Sequence, residues 1–101
     1  MQFPKASINE KELIEIVKSF KIKEVYLFGS ILREDFSESS DIDILIVFQE
    51  NSNYSLFEFM DLKEKLELCL NRRVDLVEKA GITNSYRRKE ILSTARRIYA
   101  A

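Results

Sequence analysis

The feature of this sequence that most constrains the fold is an unbroken apolar run at positions 44–48, preceded by Asp41 and Asp43. Such a density of branched apolar residues is typical of a strand that is buried on both faces of a sheet. We therefore predict a central strand over residues 41–48. The chain has 101 residues, 46% of them hydrophobic, which is enough for one domain and too few for two. Residues 1–101 are accordingly interpreted as a single domain.

Charge and composition exclude several classes of function. Sixteen Lys and Arg residues against 17 Asp and Glu residues leave a net charge of −1, so we expect no direct nucleic-acid binding and no membrane attraction. The chain contains no histidine and only Cys69, which leaves no internal disulfide and no cysteine-based zinc site. No apolar run approaches the roughly 18 residues that cross a bilayer, and residues 1–10 lack the apolar region of a signal peptide. We therefore expect a soluble cytoplasmic protein.

Hydrophobic periodicity and capping residues predict helices around the central strand and two further strands. Asn9 and Ser55 each precede an apolar stripe of helical spacing and are suited to cap a helix. The predicted helices cover residues 9–20, 30–35, 54–71 and 86–95, and the further strands cover residues 25–28 and 73–77. Residues 97–101 either continue the last helix or form an edge strand. This order of elements predicts an α/β (α+β) fold, a single two-layer domain with a small sheet.

Two aspartates at the start of the central strand are the first candidate site residues. Residues two apart in a strand point to the same side, so Asp41 and Asp43 would present their carboxylates together. Mg²⁺ prefers a few carboxylates together with water and phosphate oxygens, which makes this pair a candidate metal site. Asp75 lies between Val74 and Leu76, where a charge in apolar surroundings would be costly unless it were paired or bound to metal. We therefore expect Asp75 to be the third ligand.

A glycine–serine pair follows the first predicted strand. Gly29 would let another group approach the main chain closely, and the amides of the short helix that starts at Ser30 would face an anion. Arg33 lies on the same side of that helix, where its forked donors could hold a terminal phosphate. We therefore expect Gly29, Ser30 and Arg33 to bind the phosphates of a nucleotide.

The candidate site also constrains the topology of the sheet. The phosphate-binding pair follows the first strand and the paired acids begin the second, so these strands must be antiparallel for the residues to meet. Asp75 lies near the start of the third strand, so the second and third strands must be parallel and joined by the long helix. The predicted sheet is therefore mixed.

Each feature has a simpler interpretation when it is taken alone. A Gly-Ser pair is usually just a turn, and an Asp-x-Asp pair is often a solvated transition from loop to strand. The combination is much rarer, because Gly-Ser followed ten residues later by Asp-x-Asp should occur by chance in on the order of one in a thousand chains of this length. The joint pattern therefore favours a metal–nucleotide site.

The string GSILREDFSESSDIDILIVF, residues 29–48, resembles the signature of the DNA polymerase β-like nucleotidyltransferase superfamily: Gly-Ser, a spacer, Asp-x-Asp and a further strand acid. The chain is most similar to the minimal nucleotidyltransferases (MNT), the MntA-type antitoxins that are encoded beside HEPN-domain toxins of the HepT type. Many members have Gly after the arginine, where this chain has Glu34. The resemblance covers nearly the whole chain.

The resemblance implies a polymerase-β-palm-like fold, ATP as the substrate and a site that holds two Mg²⁺ ions. It implies that Asp41 and Asp43 bind metal, that Asp75 completes the acceptor side of the metal site, and that all three are catalytic. It also implies that Gly29 and Ser30 seat the triphosphate.

The acceptor of the AMP group is a separate question, because the chain has no room for a substrate-binding domain of its own. The resemblance implies that the acceptor is the partner HEPN toxin, adenylylated on a tyrosine hydroxyl and so silenced as an RNase. Two alternatives remain open: an antitoxin that neutralises its partner by binding alone, and a nucleotidyltransferase that acts on RNA or a small molecule. The cations at positions 72, 73, 87–89, 96 and 97 are interpreted as a solvated face rather than a nucleic-acid surface.

Overall fold

The computed structural model describes residues 9–34, 36–37 and 39–101, and these residues form one four-stranded sheet with three α-helices. In chain order the elements are α1 (Glu10–Ser19), β1 (Ile22–Phe28), β2 (Ile42–Phe48), α2 (Leu56–Leu70), β3 (Val74–Glu78), α3 (Ser85–Thr94) and β4 (Arg96–Ala100). Short 3₁₀ helices, Gly29–Leu32 and Lys79–Gly81, follow β1 and β3. The strand order across the sheet is β3-β2-β1-β4.

The sheet is mixed, as the candidate site required. β1 pairs antiparallel with β2, and β2 pairs parallel with β3. The chain end forms the edge strand β4, which pairs antiparallel with the other side of β1. The α/β fold class and the relative directions of the three predicted strands are therefore confirmed, and the choice left open for residues 97–101 falls on the strand.

Both faces of β2 are buried, as its apolar run predicts, but by different helices. Ile44 and Ile46 lie in a core with residues of α1 and α2 such as Leu13 and Leu62. Leu45, which points to the other face, packs with two residues of β1 and α3, Phe28 and Ile91. The layer of α1 and α2 thus covers one face of the sheet and α3 lies against the opposite face, so the sheet carries helices on both sides where the sequence predicts two layers.

Capping side chains fix where the helices begin. The Asn9 side chain accepts a hydrogen bond from the Glu12 amide at 3.1 Å, and the Ser55 hydroxyl accepts one from the Glu58 amide at 3.1 Å. Where the sequence predicts a helix over residues 30–35, the described residues form a 3₁₀ turn that ends before the extended backbone of Arg33, and position 35 lies outside the described residues. Within the described ranges, no helix combines the length and the apolar character needed to span a membrane.

Candidate active site

Gly29, the first residue after β1, is where the first strand meets the acids of the second. Its φ angle is +73°, a conformation that side-chain-bearing residues rarely adopt. A Cβ atom at this position would lie 2.0 Å from Oδ2 of Asp43. The carboxylate of Asp43 therefore rests against the bare backbone of Gly29, and only glycine leaves space for it.

Ser30 ties the same turn to the start of β2 through both of its donors. Its backbone amide donates to the Asp43 carboxylate, and its hydroxyl donates to the carbonyl oxygen of Asp41 at 3.3 Å. The anion that the Ser30 amide faces in this structure is thus a carboxylate of the chain itself. The phosphate-binding role of Ser30 stays a prediction.

Asp43 and Asp75 lie directly beside each other on β2 and β3, where they are paired in register. Paired positions on neighbouring strands point to the same face, so the two carboxylates share the face that carries α3. The expectation that Asp75 would be a charge in apolar surroundings is wrong, because Val74 and Leu76 turn inward and leave Asp75 exposed between them. Its position next to Asp43 is nevertheless the one that the topology argument required.

The pKa of Asp43 is raised above its usual value, mainly because the carboxyl is partly buried. The negative charges of Asp75 and Asp41 raise it further, while the Ser30 amide and the Arg33 guanidinium lower it. Asp43 is therefore half-buried among carboxylates that repel its charge. A bound cation would relieve that repulsion.

Asp41 precedes β2 and is turned toward a neighbouring arginine. Its Oδ1 atom lies 3.4 Å from Nε of Arg73, and both side chains are largely exposed. Within the described ranges, no three carboxylate or thiol side chains already lie close enough to enclose one metal ion. The structure thus brings Asp43 and Asp75 together and places Asp41 at the same end of β2. Three carboxylates are the hard oxygen donors that Mg²⁺ prefers, so the residues present fit this ion.

A cleft of about 370 Å³ opens beside the acids, between the turn after β1 and helix α3. Gly29 and Arg33 line one side of it, and Arg87 and Glu90 of α3 line the other. Because Gly29 also lies against the carboxylate of Asp43, the cleft and the acids adjoin. Arg33 thus lines the cleft from the residue that follows the 3₁₀ turn, and its phosphate-binding role stays a prediction.

Arg72 has a structural role that the sequence pattern does not reveal, since the pattern places it on a solvated face. Its Nη1 atom donates to the carbonyl oxygens of Ser37 and Ser40 at 2.7 and 3.1 Å. Its guanidinium also lies 4.5 Å from the centre of the Phe36 ring. Arg72 thus fixes the segment that leads into Asp41. Nothing local in the sequence marks this role, because the three partners are more than 30 positions away in the chain.

Comparisons with known proteins show the family to which the chain belongs. Residues 10–98 match the nucleotidyltransferase domain family. The protein adenylyltransferase MntA of Thermococcus cleftensis is 43% identical over 68 residues, which span 67% of this chain and 67% of that relative. A family match over most of the chain, together with a relative at this identity, establishes the family.

Two solved structures share the fold. One is a toxin–antitoxin complex with AMP-PNP, which matches with a TM-score of 0.74 at 23% identity and covers 93% of this chain and 75% of that one. The other is a tri-AMPylated HEPN toxin of Shewanella oneidensis in complex with an MNT antitoxin, with a TM-score of 0.66 at 22% identity, covering 91% and 70%. The chain belongs to the nucleotidyltransferase domain family and, within it, to the minimal nucleotidyltransferases of the MntA type.

Proposed function

We propose that this chain is an antitoxin that transfers AMP from ATP to a tyrosine hydroxyl of a partner HEPN-domain toxin, in a reaction that depends on Mg²⁺. The observation that carries the proposal is the pairing of Asp43 with Asp75, beside a glycine turn against which the Asp43 carboxylate rests. The relative named a protein adenylyltransferase and the complex that holds a tri-AMPylated HEPN toxin support the choice of reaction and partner. We place this reaction in the cytoplasm, where ATP and the toxin's RNA substrates are found.

Asp41, Asp43 and Asp75 would hold the metal, for which we propose two Mg²⁺ ions. When bound, these ions would neutralise the negative charge of the triphosphate and lower the pKa of the attacking hydroxyl. Asp43 is suited to contact both ions, because it lies between Asp75 on the next strand and Asp41 two positions earlier. For Asp41 to contribute, its carboxylate has to leave Arg73, which costs little because exposed ion pairs are weak.

Asp75 is suited to contact the hydroxyl group that accepts AMP. Its side chain is exposed, so a tyrosine hydroxyl of a partner protein can reach it without any movement of the sheet. In this position Asp75 would orient the hydroxyl and accept its proton as the oxygen attacks the α-phosphorus. The products are an AMP ester of the tyrosine and pyrophosphate.

Ser30 and Arg33 would hold the β- and γ-phosphates, so that the α-phosphorus faces the acceptor. The hydroxyl of Ser30 is available for this purpose, since its 3.3 Å hydrogen bond to the Asp41 carbonyl is long for a hydroxyl donor. Arg33 lines the adjoining cleft and already lowers the pKa of Asp43 through its charge.

The proposal is tested by incubating the protein with a cognate HEPN-domain toxin, ATP and Mg²⁺, and measuring the intact mass and RNase activity of the toxin. We expect AMP on a toxin tyrosine and loss of RNase activity, and neither effect with EDTA present or with the Asp41→Asn, Asp43→Asn double variant. If that double variant silences the toxin fully without transfer, the protein acts by binding alone. AMP transfer to RNA or a small molecule in the absence of toxin would support the other alternative.

A further inference from the structure

We propose that Arg87 of α3 binds the terminal phosphates of the nucleotide from the side of the cleft opposite Arg33. The inference rests on the proposed function, because it assumes that ATP is the ligand. It adds a residue from a helix that lies outside the Gly-Ser and Asp-x-Asp motifs.

The cleft has the position that the terminal phosphates require. It adjoins the acids through Gly29, which lies against the carboxylate of Asp43 on one side and lines the cleft on the other. An α-phosphate near the acids would therefore leave the β- and γ-phosphates at the mouth of the cleft. Phe28, the aromatic residue of the lining, is only 8% exposed, so the cleft offers no open ring on which a base could stack.

The position of Arg87 is fixed by the packing and capping of α3. The Asn84 side chain accepts a hydrogen bond from the Arg87 amide at 2.9 Å, which anchors the first turn of the helix. One turn further on, Ile91 is buried against Phe28 and Leu45, which holds the helix on the sheet. Arg87 thus stands in the capped first turn of a helix that forms a wall of the cleft.

The neighbouring arginine is already used by the fold, whereas Arg87 is not. Arg88 donates from Nη1 to the carbonyl oxygen of Lys79 at 2.9 Å, which links α3 to the turn after β3. Within the part of the chain that the structure describes, the Arg87 guanidinium makes no hydrogen bond or ion pair, and the first turn of α3 contains no acidic residue. Its five donors are therefore available to a ligand.

Two guanidinium groups on opposite walls match the chemistry of a triphosphate. Arginine donors form paired, charge-assisted hydrogen bonds with phosphate oxygens, and successive phosphates present oxygens to both sides of the chain. Glu90 is the acidic residue of the lining, so the two arginines leave the cleft with a net positive charge. The carboxylate of Glu90 opposes a bound anion, and its removal should strengthen binding.

The test compares binding of ATP and AMP, each with Mg²⁺, by titration calorimetry. Arg87→Ala should weaken ATP binding about tenfold to a hundredfold, the range expected for hydrogen bonds to a charged group, and leave AMP binding unchanged. Lys89→Ala is the matched control, because it removes the same charge from an exposed position of α3 outside the cleft, and it should bind both nucleotides like the wild type. Glu90→Gln should bind ATP more tightly.

Each other outcome separates the inference from the proposed function. Unchanged ATP binding by Arg87→Ala, or an equal loss for ATP and AMP, overturns the inference and leaves the proposed function intact. Selective loss of ATP binding in that variant, in a protein whose wild type transfers no AMP to the toxin, supports the phosphate contact and overturns the proposed function. A wild-type protein that binds no ATP overturns both.

Discussion

The missing side chain at position 29 is what lets the Asp43 carboxylate reach the turn after β1. We expect Gly29→Ala to abolish AMP transfer, because the added Cβ would occupy the place of Oδ2 of Asp43. The positive φ angle adds a cost of about 1–2 kcal/mol in the free energy of unfolding. Toxin adenylylation and urea denaturation measure the two effects separately.

The other glycine of the chain provides the matched control. A Cβ added at Gly81 would meet no atom within 4 Å, and the residue does not have a positive φ angle. Gly81→Ala should therefore retain full activity and change stability by less than about 0.5 kcal/mol. If both variants were equally active, the close approach of Asp43 to Gly29 would have no functional meaning.

We expect the Asp43 carboxylate to lower the free energy of unfolding at neutral pH while it supports AMP transfer. Burial and the charges of Asp75 and Asp41 raise its pKa, so the folded protein binds this proton more tightly than the unfolded chain does. The free energy of unfolding therefore falls as pH rises from the usual value of 3.8 through the raised pKa. Asp43→Asn removes that loss, so in EDTA the variant should be more stable than the wild type at pH 7.

The measurement is urea denaturation of both proteins at pH 7 and pH 3. The advantage of the variant should disappear at pH 3, where Asp43 is protonated and resembles asparagine. AMP transfer by the variant should fall at least about a hundredfold, since even the partners that orient metal ligands contribute 10- to 100-fold. A variant less stable than the wild type at pH 7 would contradict the repulsion among these carboxylates.

At the scale of elements, the described residues that precede Asp41, 36–37 and 39–40, depend on Arg72, the second residue after α2. Arg72→Ala should lower the free energy of unfolding by about 1.5–3 kcal/mol, the range for hydrogen bonds to a charged group. It should also slow AMP transfer, because the backbone that leads to Asp41 loses its support. Hydrogen exchange at the amides of Ser37 and Ser40 should become faster.

Arg72→Lys tests whether geometry or charge matters. A lysine keeps the charge but cannot donate to two carbonyl groups while it stacks on Phe36, so it should resemble the alanine variant. Arg96→Ala, an exposed arginine on β4, is the control and should have little effect. Full rescue by lysine would mean that the guanidinium contacts are not what holds this segment.

The sequence pattern predicts helices and strands well where each side chain is either clearly buried or clearly exposed. The apolar run of β2, the caps of α1 and α2 and the direction of β3 all follow from local residue types and from the requirement that the acids meet. β1 begins at Ile22, three residues before the predicted start. The sequence pattern does not indicate this start, because Lys23 and Glu24 interrupt the apolar residues. The strand extends to Ile22 because Ile22 and Glu24 pair with β2 and Glu24 also pairs with β4, which are long-range contacts that the local sequence does not reveal.

For the whole molecule, the site is predictable as far as strand direction determines it. Spacing and parity place Asp43 next to Asp75 and bring Gly29 to Asp43, and this arrangement needs no knowledge of side-chain conformations. The ion pair between Asp41 and Arg73 and the hydrogen bonds of Arg72 depend on how a loop packs against the residues after α2. Such contacts leave no periodic signal, so sequence reasoning could not find them.

The arrangement of the acids predicts how the whole domain should respond to its ligands. Repulsion among Asp41, Asp43 and Asp75 weakens the folded state, and a divalent ion bound there would reverse that effect. A ligand at ten times its dissociation constant stabilises the folded state by roughly 1.4 kcal/mol, which for a domain of about 100 residues raises Tm by about 5–10 °C. Thermal denaturation should therefore show a rise with Mg²⁺ that NaCl of equal ionic strength does not give.

ATP and Mg²⁺ together should raise Tm by more than either does alone, because the triphosphate adds oxygen ligands to the ions that the aspartates hold. Asp43→Asn combined with Asp75→Asn removes two neighbouring carboxylates and should abolish both shifts. Lys63→Gln combined with Lys65→Gln, on the exposed side of α2, is the control and should keep them. If the double aspartate variant still gained as much Tm from ATP and Mg²⁺ as the wild type, the nucleotide would have to bind away from these strands, and the assignment of the acids would fail.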